Sequence, residues 1–230
     1  TEAMLTKCND MCEDIRSAFR ERIASLDWMS AATKAKAQEK LAAIKFNILP
    51  STWYSEGLPE LKGASLLEDV ITLRQAAFAL KKKMMGMETK ENFVSINLTD
   101  PDFDFVDFAY KKTNALNAYY VRFLNQVEIL PNFMLPPAYD ESASDAKLYG
   151  ILGSTIAHEI THGFDSEGAK YNKEGTRENW WTAEDSLKYV AKQQQLIDCY
   201  NHLLVYPDIE DCLYVNGTQT LNENIADLGG

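Results

Sequence analysis

The sequence predicts a mainly helical fold with a small β element. Three observations lead to this reading. Apolar residues recur at helical spacing through most of the first half, helix-capping signals punctuate both halves, and only the stretch around Ala118 to Leu130 has paired-strand composition. Ile15, Phe19, Ile23 and Leu26 give the first helix its apolar stripe, which Trp28-Met29 closes. Ser30 then offers a cap for an Ala- and Lys-rich helix expected to run to about Ile48, where Pro50 ends it. Ser65 and Glu68 form a capping box for a helix containing Val70, Leu73, Ala77 and Leu80, with Lys81, Lys82 and Lys83 suited to its negative end and Gly86 as its stop.

The middle changes character. Phe103 to Tyr110 alternates aromatic and acidic residues, Ala118 to Phe123 has strand composition, and Gln126 to Leu130 follows, which reads as a hairpin or paired strands until Pro131, Pro136 and Pro137 end the pairing. Helical patterning resumes from about Leu148 to His162. Thr182 caps another helix to about Leu203, with Asp185 at its third position, and a last helix starts near Leu221 and runs toward Gly229-Gly230. Residues 1–88 thus read as a helical segment leading into residues 89–230, which carry the chemistry-bearing motifs.

Charge and cysteine content narrow the function classes. Lys and Arg number 23 against 34 Asp and Glu, for a net charge of −11, which repels phosphate backbones and argues against nucleic acid as a partner. No apolar run approaches the ~18–20 residues of a membrane span, so a membrane partner is expected only through an anchor outside this segment. The cysteines Cys8, Cys12, Cys199 and Cys212 include no CxxC pair, which disfavours a cysteine zinc knuckle. Cys8 and Cys12, one helical turn apart, have Cβ atoms about 5–6 Å apart, too far for a disulfide within an intact helix. Sequons at Asn97 and Asn216, together with the cysteines, lean toward an extracellular protein.

The segment richest in chemistry is His158-Glu159-Ile160-Thr161-His162. On a helix, His158 and His162 project one turn apart from one face and can hold a single metal ion, while Glu159 lies about 100° around the axis, beside that face. A metal used for catalysis needs a third protein ligand. The metzincin pattern would place a histidine at position 168, which is Gly168, and His202 has no partner motif around it. Glu223-Asn224-Ile225-Ala226-Asp227 is the better source: Glu223 and Asp227 share one helix face, so Glu223 can bind metal while Asp227 accepts the outer N–H of a liganding histidine.

With both motifs in hand, the chain resembles the neprilysin and endothelin-converting-enzyme family of zinc metallopeptidases. The likeness rests on His158 to Asp165, on Glu223 to Gly230, and on their long separation, with Glu223 standing 61 positions beyond His162. Asn117-Ala118-Tyr119-Tyr120 with Asn125-Gln126, Trp28-Met29 with Thr33-Lys34, and Trp180-Trp181 agree with it. Asn222, Leu124 and Glu128 depart from the family pattern beside the site. The resemblance implies a partial thermolysin-like zinc metallopeptidase domain with one Zn2+ per chain, held by His158, His162 and Glu223. It further implies Glu159 as general base, Asp227 orienting His158, and Asn117 and Ala118 aligning peptide substrates along an exposed strand edge. It also implies an extracellular setting, secreted or as the ectodomain of an anchored protein. The remainder of the same peptidase chain becomes a partner, since the family's transition-state histidine, its carboxylate-binding arginine and the usual partner of a cysteine near Cys199 are expected within the roughly one hundred residues by which the family continues past Gly230. Two other readings stand beside it: an inert zinc-binding or peptide-binding module of the same family, and a helical interaction protein with a fortuitous HExxH.

Overall fold

A computed structural model describes residues 2–48, 60–61, 63, 65–84, 116–205 and 213–230. Several sequence expectations lie outside them: Pro50, Gly86, the Asn97 sequon, the Phe103–Tyr110 alternation and Cys212. The architecture is mainly helical around one small sheet, as the patterning predicts. Helix α1 (Glu2–Ser25) buries Cys8, Met11, Cys12, Ile15 and Ile23, a stripe at helical spacing. Cys8 and Cys12 stay unlinked. Cys8 Sγ lies 3.5 Å from Met134 Sδ, and burial pushes the two thiols up to about 11 and about 12, far from the reactive thiolate range.

Helix α2 (Ala31–Ala42) starts where expected, with Ser30 Oγ accepting the Thr33 amide at 3.4 Å, but it ends six residues before the expected stop. The cause comes from another element. Arg16, buried on α1, donates to the carbonyls of Leu41 at 2.7 Å, Ala42 at 2.9 Å and Ile44 at 2.8 Å. These acceptors would otherwise serve the next helical turn. The chain is released into β1 (Lys45–Ile48), which pairs in parallel with β3 (Gln126–Ile129), Lys45 opposite Gln126 and Ile48 opposite Ile129. A strand partner far away in sequence thus overrides local helix propensity, which is a weak prior.

Strand β2 (Ala118–Val121) completes the sheet in the order β1-β3-β2, antiparallel to β3 with Ala118 opposite Ile129. The central strand β3 is buried throughout, and Val127 and Ile129 reach zero exposure. The connecting turn needs a residue at positive φ, and Asn125 takes it at 52°. Its side chain is fully used: Nδ2 donates to the carbonyls of Lys40 and Lys173, and Oδ1 accepts the Tyr120 hydroxyl at 2.7 Å.

Helix α3 spans Leu66–Met84, with Ser65 Oγ accepting the Glu68 amide. Past the hairpin, Ser144 caps α4 (Asp145–Leu148), a π-helical turn covers Tyr149–Gly153, and α5 (Ser154–His162) continues the same rod. Leu148, Leu152, Ile156 and Ile160, four residues apart, form one row sunk into the core. Helix α6 (Ala183–Asn201) starts at Thr182, whose hydroxyl accepts the Asp185 amide. The Asp185 carboxylate turns away from its own helix and accepts from the Ser30 amide, the Ser30 hydroxyl and the Thr33 hydroxyl, which holds it well below the usual carboxylate range. Two helix starts therefore share one buried anion. Helix α7 (Leu221–Gly229) packs on α5.

Replacing Arg16 by Met should orphan buried carbonyls at the α2 terminus and lower stability by about 2–4 kcal/mol, while Arg16→Lys should recover part of it. Urea unfolding of the three proteins measures this. Equal midpoints would mean that Arg16 does not hold that terminus.

Candidate metal centre

The site forms where α5, α7 and the loop after α5 meet beside β2. The core row of α5 fixes its rotation, so His158 and His162 face outward into a cleft of about 410 Å³. Their rings meet edge to face with centroids 4.6 Å apart. Helix α7 approaches closely because its end carries glycine. A Cβ on Gly229 would stand 2.0 Å from Thr161 Oγ1 and one on Gly230 2.8 Å from the Ser154 carbonyl. That contact brings Glu223 and Asp227 to the imidazoles.

Among the described residues, His158, His162 and Glu223 form a group whose donor atoms could share a metal ion. The Nε2 atoms of the two histidines are 3.0 Å apart, and Glu223 Oε2 lies 3.4 Å from His158 Nε2 and 3.6 Å from His162 Nε2. Ligand bonds of about 2.0–2.2 Å at tetrahedral angles would separate donors by about 3.3–3.5 Å, so the triangle fits one zinc-sized cation to within a few tenths of an ångström. The outer ring nitrogens strengthen the case. His158 Nδ1 is 2.9 Å from Asp227 Oδ1, and His162 Nδ1 is 2.8 Å from Asp165 Oδ2. An ionised carboxylate only accepts, so each Nδ1 carries a proton, and the neutral form of each ring then presents a lone pair at Nε2. Two lone pairs facing at 3.0 Å are a donor set for a cation, and the flanking carboxylates fix both tautomers. Burial opposes protonation of His162, yet the Asp165 hydrogen bond and the charges of Glu159, Asp165 and Glu223 outweigh it and raise its pKa. The surroundings favour positive charge.

Glu159 is buried beside the pair, and desolvation raises its pKa against the opposing pull of both histidines. Tyr120 of β2 lines the same cleft. The strand's orientation follows from one bond. The Leu130 amide donates to the Asn117 carbonyl, so the alternation of an antiparallel ladder turns the backbone groups of Ala118 and Tyr120 away from β3, toward the cleft. Asn117 and Ala118 both line that cleft, with Asn117 Oδ1 accepting the Ala118 amide at 2.9 Å. All seven residues singled out in the sequence, Glu159, Asp227, Asn117, Ala118, His158, His162 and Glu223, thus converge on one region. His202 does not; it sits exposed at the end of α6 against the Asp198 carbonyl.

Two participants escape sequence reasoning. Asp165, three residues past His162, matches helical i,i+3 spacing, the one local signal that could have found it. Its other oxygen accepts the amides of Glu167 and Gly168, so the loop grips the carboxylate from both sides. Lys40 is the second. Fully buried, its Nζ donates to the carbonyls of Gly168 and Tyr171 at 2.7 Å each and sits 5.6 Å from the Phe164 ring. Burial lowers its pKa to about 7, opposed by the nearby Asp165.

Comparison with known proteins agrees with this picture. The fold is that of part of a metallopeptidase domain, and sequence patterns of peptidase family M13 match residues 1–49 and 117–230. The chain belongs to peptidase family M13, which includes neprilysin and the endothelin-converting enzymes. It is 30% identical to rat endothelin-converting enzyme-like 1, over 99% of this chain and 28% of that protein. A putative zinc metalloproteinase from Streptococcus gordonii is 31% identical over 92% of this chain and 35% of its own length. Among solved structures, zinc metalloprotease ZMP1 of Mycobacterium tuberculosis in complex with an inhibitor superposes with a TM-score of 0.77 at 27% identity, over 98% of this chain and 33% of that one. PepO from Lactobacillus rhamnosis gives 0.78 at 26% identity, over 100% of this chain and 34% of that one. The chain spans about a third of the length of these relatives.

Gly168 makes the loop testable. A Cβ there would lie 1.9 Å from the His162 carbonyl, whereas one at Gly150 meets nothing within 4 Å. Gly168→Ala should cost about 1–3 kcal/mol in thermal unfolding, and Gly150→Ala should be neutral or up to about 1 kcal/mol stabilising. Equal losses would contradict the close approach of loop and helix.

Proposed function

We propose that this chain carries the zinc site of an endopeptidase that hydrolyses peptide bonds in small peptides. The observation that carries the reading is the donor triangle of His158, His162 and Glu223, with both outer imidazole nitrogens held by carboxylates and Glu159 buried alongside. The three residues hold one zinc ion. Bound there, zinc supplies Lewis acidity, polarising the scissile carbonyl and bringing the pKa of a coordinated water to about 7.

The chain's own residues do the rest. Glu159 takes the proton of the attacking water and delivers it to the departing amine. Its buried position and raised pKa suit a group that must both accept and release a proton. Asp227 and Asp165 hold the histidines in the liganding tautomer. The cleft-facing backbone of Ala118 and the Asn117 side chain align the substrate as an added strand. The rest of the same peptidase chain closes the cleft from its open side, a role supported by the threefold greater length of the relatives. An extracellular setting belongs to the same reading, supported by the exposed Asn216 sequon; among the described residues no helix is long and apolar enough to cross a membrane.

The test is made on the full-length gene product. Glu159→Gln should keep zinc and lose about 10²–10⁴-fold in turnover, whereas Glu223→Ala should lose the zinc itself. Metal analysis and a fluorogenic peptide assay are read side by side. Substantial turnover in Glu159→Gln, or undiminished zinc in Glu223→Ala, would overturn these assignments.

A further inference from the structure

The cleft is lined by carboxylates, Glu159, Asp165, Glu167 and Glu223, and by one cation among the described residues, Arg122. The acids are committed. Asp165 and Glu223 face the histidines, Glu159 is buried, and Glu167 is engaged by Lys170 at 2.5 Å. Arg122 is held more loosely: its guanidinium is ion-paired with Glu167 across 3.8 Å, too far for a hydrogen bond, it lies 5.9 Å from the centre of the Tyr171 ring, and its side chain is 45% exposed. A fork of five donors is left largely unspent at the rim of the site.

Its place along the strand gives this meaning. Arg122 lines the cleft from the turn just past the end of β2, two residues beyond Tyr120. Tyr120 lines the cleft together with Glu159, and Arg122 stands two residues further along the chain, about 6.6 Å for extended backbone. A peptide added to this edge keeps the same spacing and would present a side chain to Arg122 two or three residues from its scissile bond.

We propose that Arg122 is a specificity-determining residue that selects peptides carrying a carboxylate side chain two or three residues from the scissile bond. This rests on the peptidase reading above and narrows its substrate class to locally acidic peptides. The ion pair forms at a half-exposed rim, so the preference for Glu over Gln at that position is about 3–5-fold in kcat/KM and falls with added salt.

The experiment uses the full-length gene product and a set of quenched peptides, identical except for a single Glu, Gln or Lys placed in turn at each position flanking the scissile bond. Glu-to-Gln and Lys-to-Gln ratios are compared for the wild type, Arg122→Gln and Arg122→Glu, so general damage to a variant cancels. The expected result is a Glu preference at one position in the wild type, none in Arg122→Gln, and a Lys preference there in Arg122→Glu. A parent peptide cleaved in a chelator-sensitive way with flat ratios, or a Glu preference that survives Arg122→Gln, would overturn this inference alone. No chelator-sensitive cleavage of any peptide would overturn the peptidase reading and the inference with it.

Discussion

Two imidazole Nε2 atoms facing each other across 3.0 Å form the constraint around which the rest of this structure is arranged. Left to themselves the rings would rotate apart or trap a proton between them. They are held because each outer nitrogen is tied to a carboxylate that comes from a different element: Asp227 from α7 and Asp165 from the loop that follows α5. The backbone beneath cannot yield, since Leu152, Ile156 and Ile160 lock α5 into the core at zero exposure. Core packing and the two carboxylates hold the imidazoles in the arrangement a shared cation needs.

The support reaches far from the site. Lys40 of α2 is buried under the loop and bonds its carbonyls, Asn125 joins the hairpin turn to α2, and Tyr189 of α6 donates to the Phe164 carbonyl beside Asp165. Trp28, Trp181 and Tyr189 stack with nearly parallel rings, and the two adjacent tryptophans donate to the carbonyls of Tyr171 and Ala169. Residues 2–48 therefore act as a brace for a loop more than a hundred positions away, besides supplying a strand to its sheet. Within it, buried Lys40, Asn125 and Arg16 each donate to backbone carbonyls, so these buried donors are satisfied.

Much of this was legible in the sequence wherever the governing contact is local. Ser30, Ser65 and Thr182 begin helices because a hydroxyl three residues upstream of an amide is a short-range signal. His158 and His162, like Glu223 and Asp227, are set by one turn of helix, so spacing alone places them on common faces. What was not legible depends on distant partners. The end of α2 is decided by Arg16 on another helix, so Lys45 to Ile48 read as helix and folded as strand. Lys40 sits among Lys34 and Lys36 in an Ala- and Lys-rich pattern, and nothing near it in sequence marks it as the buried one. Asp165 was visible beside the motif but acquires its role only when the loop folds back on His162.

The central claim is that His158, His162 and Glu223 form one zinc site, and X-ray absorption at the zinc edge of the metal-loaded protein tests it most directly. The account predicts two imidazole shells and one carboxylate oxygen at about 2.0–2.2 Å with no sulfur, and loss of an oxygen ligand in Glu223→Asp, whose shorter side chain cannot span the 3.4–3.6 Å triangle from α7. A sulfur shell at about 2.3 Å, a single imidazole, or a spectrum unchanged by Glu223→Asp would contradict it.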